Sequence, residues 1–213
     1  MFALSWSMTA APLDLAEAPE DAPSTPRRNT GAWLEMLISS ILGLTASLVL
    51  SIDAIKLAEN PNADLSCNVS ATISCGSVGT SWQASLLGFP NAFLGLMFES
   101  VVIAFAVAGL ARVRFPRWYM LGLQGIYTIA IAFAYWLFLQ AYFVIGAMCP
   151  WCLLITFTTL FVFASMTRIN IRQGNFGAAA QQRLEPLLRY NVDIYSTVLI
   201  SAIIAAMVIV RYV

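Results

Sequence analysis

Residues 92–111 read AFLGLMFESVVIAFAVAGLA and contain one charged residue, Glu99. An α-helix of about 20 apolar residues is long enough to cross the ~30 Å hydrocarbon core of a bilayer. Four further apolar segments of similar length lie at about 34–57, 118–143, 149–166 and 192–210. Because backbone polar groups inside lipid must hydrogen-bond to each other, each segment is expected to be a helix. The sequence therefore predicts an all-α integral membrane protein with five transmembrane helices.

The composition agrees with this fold class and narrows the possible functions. Of the 213 residues, 60% are hydrophobic and 10% are charged, whereas soluble domains carry about a quarter charged residues. Eleven basic residues balance eleven acidic ones, so nucleic-acid binding is not expected. The chain has no histidine, which excludes Ser-His-Asp and Cys-His triads and His-ligated zinc or haem.

The N-terminal residues 1–30 differ from the rest of the chain. They are rich in alanine, proline and acidic residues and show no apolar periodicity, so they are expected to form a disordered cytoplasmic tail. A signal peptide is the alternative, but the apolar run at 2–11 has no positively charged start. Residues 31–213 are then a single five-helix transmembrane domain with an external loop at about 58–90.

The distribution of basic residues predicts the orientation of this domain. Nine of the eleven lie on one side of the predicted helices: Arg27, Arg28, Arg112, Arg114, Arg117, Arg168, Arg172, Arg183 and Arg189. Only Lys56, expected to form an interfacial ion pair with Asp53, and Arg211 lie on the other side. The positive-inside rule then places the N-terminus in the cytoplasm and the C-terminus outside.

Four cysteines, Cys67, Cys75, Cys149 and Cys152, all fall on the predicted external side, where disulfides persist. They allow three pairings, and the sequence alone does not choose among them. Cys149-Pro150-Trp151-Cys152 begins the fourth helix, where free backbone N–H groups and the helix dipole favour a nucleophilic thiolate. Two structural disulfides are the simpler alternative. A four-thiolate zinc site is disfavoured because seven residues separate Cys67 from Cys75.

The arrangement of these motifs resembles the vitamin K epoxide reductase (VKOR) family, specifically its bacterial members that oxidise thiols and reduce quinone. The resemblance rests on Cys67-x7-Cys75 in the first external loop and on Cys149-Pro-Trp-Cys152 at the fourth helix. It also includes Ser81 and the stretch Gly-Phe-Pro-Asn-Ala that leads into the second helix, and it covers residues 33–167.

The resemblance implies a four-helix bundle around a quinone, a short half-helix in the external loop, and a fifth transmembrane helix. It implies that Cys149 and Cys152 are the pair beside the quinone, with Cys152 in contact with the ring. Asn91 is expected to bind a quinone carbonyl, and Ser81 to lie near the active cysteines. The alternative for Asn91 is a cap of the second helix or an interfacial turn, and the alternative for Ser81 is a cap of a short helix over 82–87.

The implied function is that of a membrane thiol:quinone oxidoreductase in the bacterial inner membrane. In the family the fifth helix often leads to a fused thioredoxin-like domain. Because this sequence ends at Val213, a separate extracytoplasmic thioredoxin-fold thiol oxidase is the expected partner of a stand-alone membrane domain. Electrons are expected to pass from the Cys67/Cys75 pair, with Cys75 attacking Cys149, to the Cys149/Cys152 pair and then to menaquinone, ubiquinone or a vitamin K-type quinone, without a metal. The alternative is a non-enzymatic membrane scaffold or assembly protein with two structural disulfides.

Overall fold

The computed structural model describes residues 29–212, so the predicted tail at 1–30 lies almost entirely outside the described residues. Within that range the chain forms helices joined by turns and contains no strand, only one isolated β-bridge. The helices are α1 (Thr30–Glu59), α2 (Cys75–Gly79), α3 (Ala92–Leu110), α4 (Arg117–Gln140), α5 (Pro150–Arg172), α6 (Ala178–Arg189) and α7 (Val192–Tyr212).

All five predicted transmembrane segments are helices long and apolar enough to cross a membrane. Helices α1, α5 and α7 end beyond the predicted bounds, because polar residues at the helix ends continue the backbone hydrogen-bond pattern, whereas α3 ends at Leu110, one residue before the predicted end. Thus α1 begins four residues earlier, at Thr30, and continues to Glu59. A π-helical turn over Ala141–Ile145 prolongs α4 and stops at Gly146, whose φ of 72° is favourable for glycine.

The four helices α1, α3, α4 and α5 form a bundle in which α1 packs against α3 and α5, and α4 packs against α5. Glycine permits the close approach of α1 and α3. A Cβ atom at Gly95 would lie 2.1 Å from Ser47 Oγ, and one at Gly109 would lie 2.4 Å from the Trp33 ring. Small residues at such crossings allow helices to pack closely in lipid, where the hydrophobic effect does not drive association.

The fifth transmembrane helix, α7, lies at the edge of this bundle. Only two of its residues, Thr197 and Ile204, are fully buried, and Ile204 belongs to an apolar cluster with Phe138 of α4. Arg168 of α5 forms a bidentate ion pair with Asp193 at the start of α7. The predicted architecture, a four-helix bundle with one added helix, is therefore confirmed.

The helix α6 was not predicted from the sequence. It is 12 residues long and lies between α5 and α7, with Leu188 as its buried residue. It is too short and too polar to give a transmembrane signal.

One end of the bundle, called here the arginine end, is formed by the start of α1, the end of α3, the start of α4 and the end of α5. Arg172 donates to Asn29 Oδ1 at 3.0 Å, and Arg117 donates to the Asn175 carbonyl at 2.7 Å. The opposite end, called the cysteine end, carries residues 60–91. This segment contains α2 and a 3-10 turn over Trp82–Ser85, in place of the single short helix expected over 82–87.

Candidate active site

The cysteine end brings the four cysteines together in a small buried cluster. Cys67, Cys75 and Cys149 are each at most 6% exposed and pack with Leu57 of α1 and Leu65 of the loop. Cys152 is partly buried and borders the same cluster. Two sequence motifs separated by more than 70 residues therefore form one site.

Cys67 and Cys75 are joined by a disulfide, with their Cα atoms 5.7 Å apart. Cys149 and Cys152 are free thiols. The sequence left three pairings of the four cysteines open. The structure contains the Cys67–Cys75 bond, which lies within the loop. This state has an oxidised loop pair and a reduced helix pair.

The two pairs meet through Cys75 and Cys149, whose Sγ atoms lie 3.0 Å apart. Since the Cys75 sulfur is part of a disulfide, a thiolate at Cys149 is in position to attack it. Thiol–disulfide exchange proceeds by such an attack and passes through a mixed disulfide. A Cys75–Cys149 bond is therefore the exchange intermediate that this geometry favours.

A short backbone bridge holds the two sulfurs in register. Met148 donates to the Thr72 carbonyl at 2.8 Å, and Ser74 donates to the Met148 carbonyl at 3.1 Å. These bonds form the parallel bridge between Ile73 and Met148. Each bridged segment continues directly into its cysteine, so the bridge fixes the separation of the two sulfurs.

Side chains that the sequence analysis missed support the loop pair. Asn68 Oδ1 accepts hydrogen bonds from the Gly76 amide at 3.0 Å and from the Ser74 hydroxyl at 3.1 Å. Ser74 caps α2 by accepting from the Ser77 amide at 3.1 Å. The only feature of the sequence that indicates these hydrogen bonds is the capping pattern of a serine just before a short helix.

Cys149 occupies the N-cap position of α5, with Pro150 as the first helical residue, as the sequence predicted. The hydrogen bond from the Cys152 thiol lowers the pKa of Cys149 below its ordinary value of 9.0. The backbone N–H groups of Cys152 and Trp151 lower this pKa further, while burial opposes them. A thiol with a lowered pKa is more often the reactive thiolate and is a better leaving group.

Asn91 and Ser81 lie at the same end but do not cap helices with their side chains. Asn91 sits at the N-cap position of α3, yet its Nδ2 donates to the Gln83 carbonyl at 2.6 Å. The Ser81 hydroxyl donates to the Val78 carbonyl at 2.6 Å and makes no cap bond to the turn that follows. The capping roles weighed for both side chains are therefore wrong.

The Asn91 side-chain amide has hydrogen-bonding capacity that would suit the carbonyl of a quinone. Its Oδ1 atom is buried without a hydrogen-bond partner, and Nδ2 has a second N–H beyond the bond to Gln83. The amide can thus donate to a quinone carbonyl or accept from a hydroquinone hydroxyl. Gln83 is 3% exposed and donates to Gln140 Oε1 at 3.3 Å, which adds two further amides that the sequence analysis did not single out.

No cluster of three or more His, Cys, Asp or Glu side chains able to hold a metal ion occurs between residues 29 and 212. The reactive groups that the structure brings together here are the sulfur atoms of the four cysteines, with the amides of Asn91, Gln83 and Gln140 at the same end of the bundle. All of these groups lie at the cysteine end of the bundle.

Comparison with known proteins agrees with the arrangement of these motifs. The model of the Vitamin K epoxide reductase family matches residues 34–167, which include all four cysteines, Ser81 and Asn91. No curated protein matches the chain significantly. The family match covers α1 to α5 up to residue 167, and with it more than half of the sequence. The chain therefore belongs to the Vitamin K epoxide reductase family.

Proposed function

We propose that this protein reoxidises an extracytoplasmic thioredoxin-fold thiol oxidase and passes the electrons through its two cysteine pairs to a membrane quinone, thereby supporting disulfide formation. Family membership supplies the coarse part of this function, an integral membrane oxidoreductase that acts between thiols and quinone. The observation that carries the proposed path is the 3.0 Å separation of the Cys75 and Cys149 sulfurs.

The first exchange takes place at the loop pair. A thiolate of the partner attacks Cys67, the Cys67–Cys75 bond breaks, and Cys75 leaves as a thiolate. The second partner thiol then attacks its own sulfur in the mixed disulfide, which releases an oxidised partner and a reduced Cys67. One disulfide has moved to the partner, and two electrons have entered the loop pair.

The second exchange passes the electrons to the helix pair. Cys75 attacks Cys149 of a Cys149–Cys152 disulfide, which forms a Cys75–Cys149 bond and frees Cys152. Cys67 then attacks Cys75, so the loop disulfide forms again and Cys149 leaves as a thiolate. The products are an oxidised loop pair and two free thiols at Cys149 and Cys152, the state that the structure contains.

The last exchange returns the helix pair to its disulfide. A bound quinone supplies a two-electron acceptor at this site. Cys152 and Asn91 would hold it, Asn91 through the amide atoms described above, and Ser81 would contribute a hydroxyl at the same end of the bundle. An amide donor of this kind stabilises negative charge that builds on a carbonyl oxygen. Cys149 and Cys152 would be joined in a disulfide once two electrons and the two thiol protons have passed to this acceptor.

A non-enzymatic scaffold with two structural disulfides is less consistent with the site. Two structural disulfides need no shared site, whereas the four cysteines lie together at one end of the bundle. A structural role also gives no reason for a 3.0 Å contact between sulfurs of different pairs.

Anaerobic turnover by the purified protein in detergent tests the proposal. The assay supplies a reduced thioredoxin-fold protein and a soluble quinone, and compares the wild type with Cys75→Ala and Cys152→Ala. We expect quinone-dependent thiol oxidation in the wild type and only background in both variants. Ser66→Ala, at an exposed position next to Cys67, is the matched control and should keep full activity. No turnover in the wild type with any of several quinones would contradict the proposal.

A further inference from the structure

Asp53 is a buried carboxylate in direct contact with the loop disulfide. It lies near the outer end of α1, is 5% exposed, and its Oδ2 atom is 3.8 Å from Cys67 Sγ. Its Oδ1 atom is 3.7 Å from Lys56 Nζ, so the ion pair expected from the sequence forms. The Lys56 side chain is 55% exposed, and an ion pair with so exposed a partner stabilises little.

Burying a carboxylate beside a disulfide has a free-energy cost that this weak ion pair does not offset. In the disulfide state Cys67 carries no proton and cannot donate to Asp53. Once Cys67 is reduced, its thiol has a carboxylate oxygen beside it. The contact therefore acquires a hydrogen bond only during the redox cycle.

We propose that Asp53 is the proton acceptor for Cys67 in the step that closes the loop disulfide. This inference rests on the proposed function. In this step Cys67 attacks the Cys75 sulfur of the Cys75–Cys149 mixed disulfide. The Cys67–Cys75 bond forms, the Cys75–Cys149 bond breaks, and the electron pair of the broken bond leaves on Cys149. The thiol proton of Cys67 moves to Asp53, and the number of disulfide bonds stays constant.

The surroundings of Cys67 leave few other acceptors for this proton. The chain has no histidine. The ionisable groups that face Asp53 are Lys56 on α1, Cys67 on the loop and Cys149 at the start of α5. An ammonium group is no acceptor, and Cys149 is bonded to Cys75 until the step is complete. Near neutral pH an ordinary thiol is only a few per cent thiolate. Proton transfer during the attack therefore accelerates closure.

The test is a single turnover without quinone, in detergent. Protein with both pairs oxidised is mixed with dithiothreitol, quenched in acid at successive times and alkylated. Mass spectrometry then measures the peptide that contains the Cys75–Cys149 link. We expect Asp53→Asn to accumulate this link at about pH 6.5 and to resolve it roughly 100-fold more slowly than the wild type.

The pH profile separates proton transfer from a structural role. In Asp53→Asn, resolution should accelerate by about tenfold per pH unit up to the ordinary thiol pKa of about 8.5–9, because the thiolate must form first. The wild-type rate should change much less over this range. Asp64→Asn, at an exposed position of the same loop, is the matched control and should behave like the wild type. Resolution in Asp53→Asn at the wild-type rate, or slowed by one factor at every pH, would overturn the inference.

A second variant distinguishes an error in the role of Asp53 from an error in the relay, the name used here for the proposed electron path from Cys67/Cys75 to Cys149/Cys152. Cys67→Ser lacks the attacking thiol, so it should trap the Cys75–Cys149 link irrespective of Asp53. If Cys67→Ser traps the link but Asp53→Asn resolves it normally, the role of Asp53 is wrong and the relay stands. If Cys67→Ser never forms the link, the relay is wrong, and the inference falls with it.

Discussion

The sulfur atoms of Cys75 and Cys149 lie 3.0 Å apart although 74 residues separate them along the chain. Cys75 belongs to the loop disulfide, and Cys149 is the first cysteine of the helix pair. This contact links an oxidised pair to a reduced one, so it is where electrons can cross from one pair to the other.

The backbone bridge at Met148 should control the rate of this crossing. Met148→Pro removes the N–H that donates to the Thr72 carbonyl, and we expect Cys75–Cys149 exchange to slow by about tenfold or more. Met148→Leu keeps the N–H and a similar volume, so it serves as the control. Acid-quench trapping of the Cys75–Cys149 link measures both rates. Equal rates in the two variants would show that the bridge does not set the separation of the sulfurs.

The thiol of Cys149 should ionise more readily than an ordinary thiol. The hydrogen bond from Cys152 lowers its pKa, so Cys152→Ala should raise the Cys149 pKa towards 9.0. Thiolate absorbance near 240 nm, recorded against pH with the loop disulfide intact, measures both values, and Cys149→Ser supplies the baseline. The midpoint for the wild type should lie at lower pH than that for Cys152→Ala. The reverse order would contradict the assigned direction.

Asn91 should matter for quinone reduction and not for sulfur exchange. Asn91→Leu removes the amide, and we expect kcat/KM for a soluble quinone to fall by about 100-fold, the usual size for loss of such a donor. The quinone-free rate of Cys75–Cys149 exchange should stay within about twofold of wild type. Equal losses in both assays would indicate that Asn91 acts only by holding the loop through its bond to Gln83.

The α1–α3 crossing should tolerate no side chain at Gly109. In Gly109→Ala the new Cβ would lie 2.4 Å from the Trp33 ring, so we expect a loss of about 1–3 kcal/mol in the free energy of unfolding. Gly122→Ala is the matched control, since a Cβ there meets no atom within 4 Å. Thermal unfolding in detergent compares them, and Gly122→Ala should equal or exceed the wild type in stability. Similar midpoints for both variants would contradict the close crossing.

The fold was largely predictable because lipid imposes a simple rule on apolar segments. Five long apolar runs became five helices, and the four-helix bundle with an added helix followed from the family resemblance. The helix α6 was missed because its 12 residues are neither apolar nor long enough for that rule. The path of the loop was also missed, since the bridge at Met148 is formed by backbone atoms and leaves no pattern in side chains.

The candidate site was predictable as a set of residues and less so as a geometry. Cysteine spacing and the Pro150 position identified Cys149 as a helix N-cap. Which sulfurs touch, however, depends on how a long loop returns to the bundle. Asp53 shows most clearly what the sequence could not predict. Its spacing of three residues from Lys56 predicted their ion pair. Its contact with Cys67, fourteen residues away, depends on the path of the loop and was not predicted.

The most direct test of the relay is the formation of its central bond in a protein that can form no other bond within the site. The double variant Cys67→Ser/Cys152→Ser keeps only Cys75 and Cys149, whose sulfurs lie 3.0 Å apart. After mild oxidation in detergent, mass spectrometry should find these residues joined within one chain in nearly all molecules. Two free thiols, or links only between separate chains, would contradict direct electron transfer from Cys75 to Cys149.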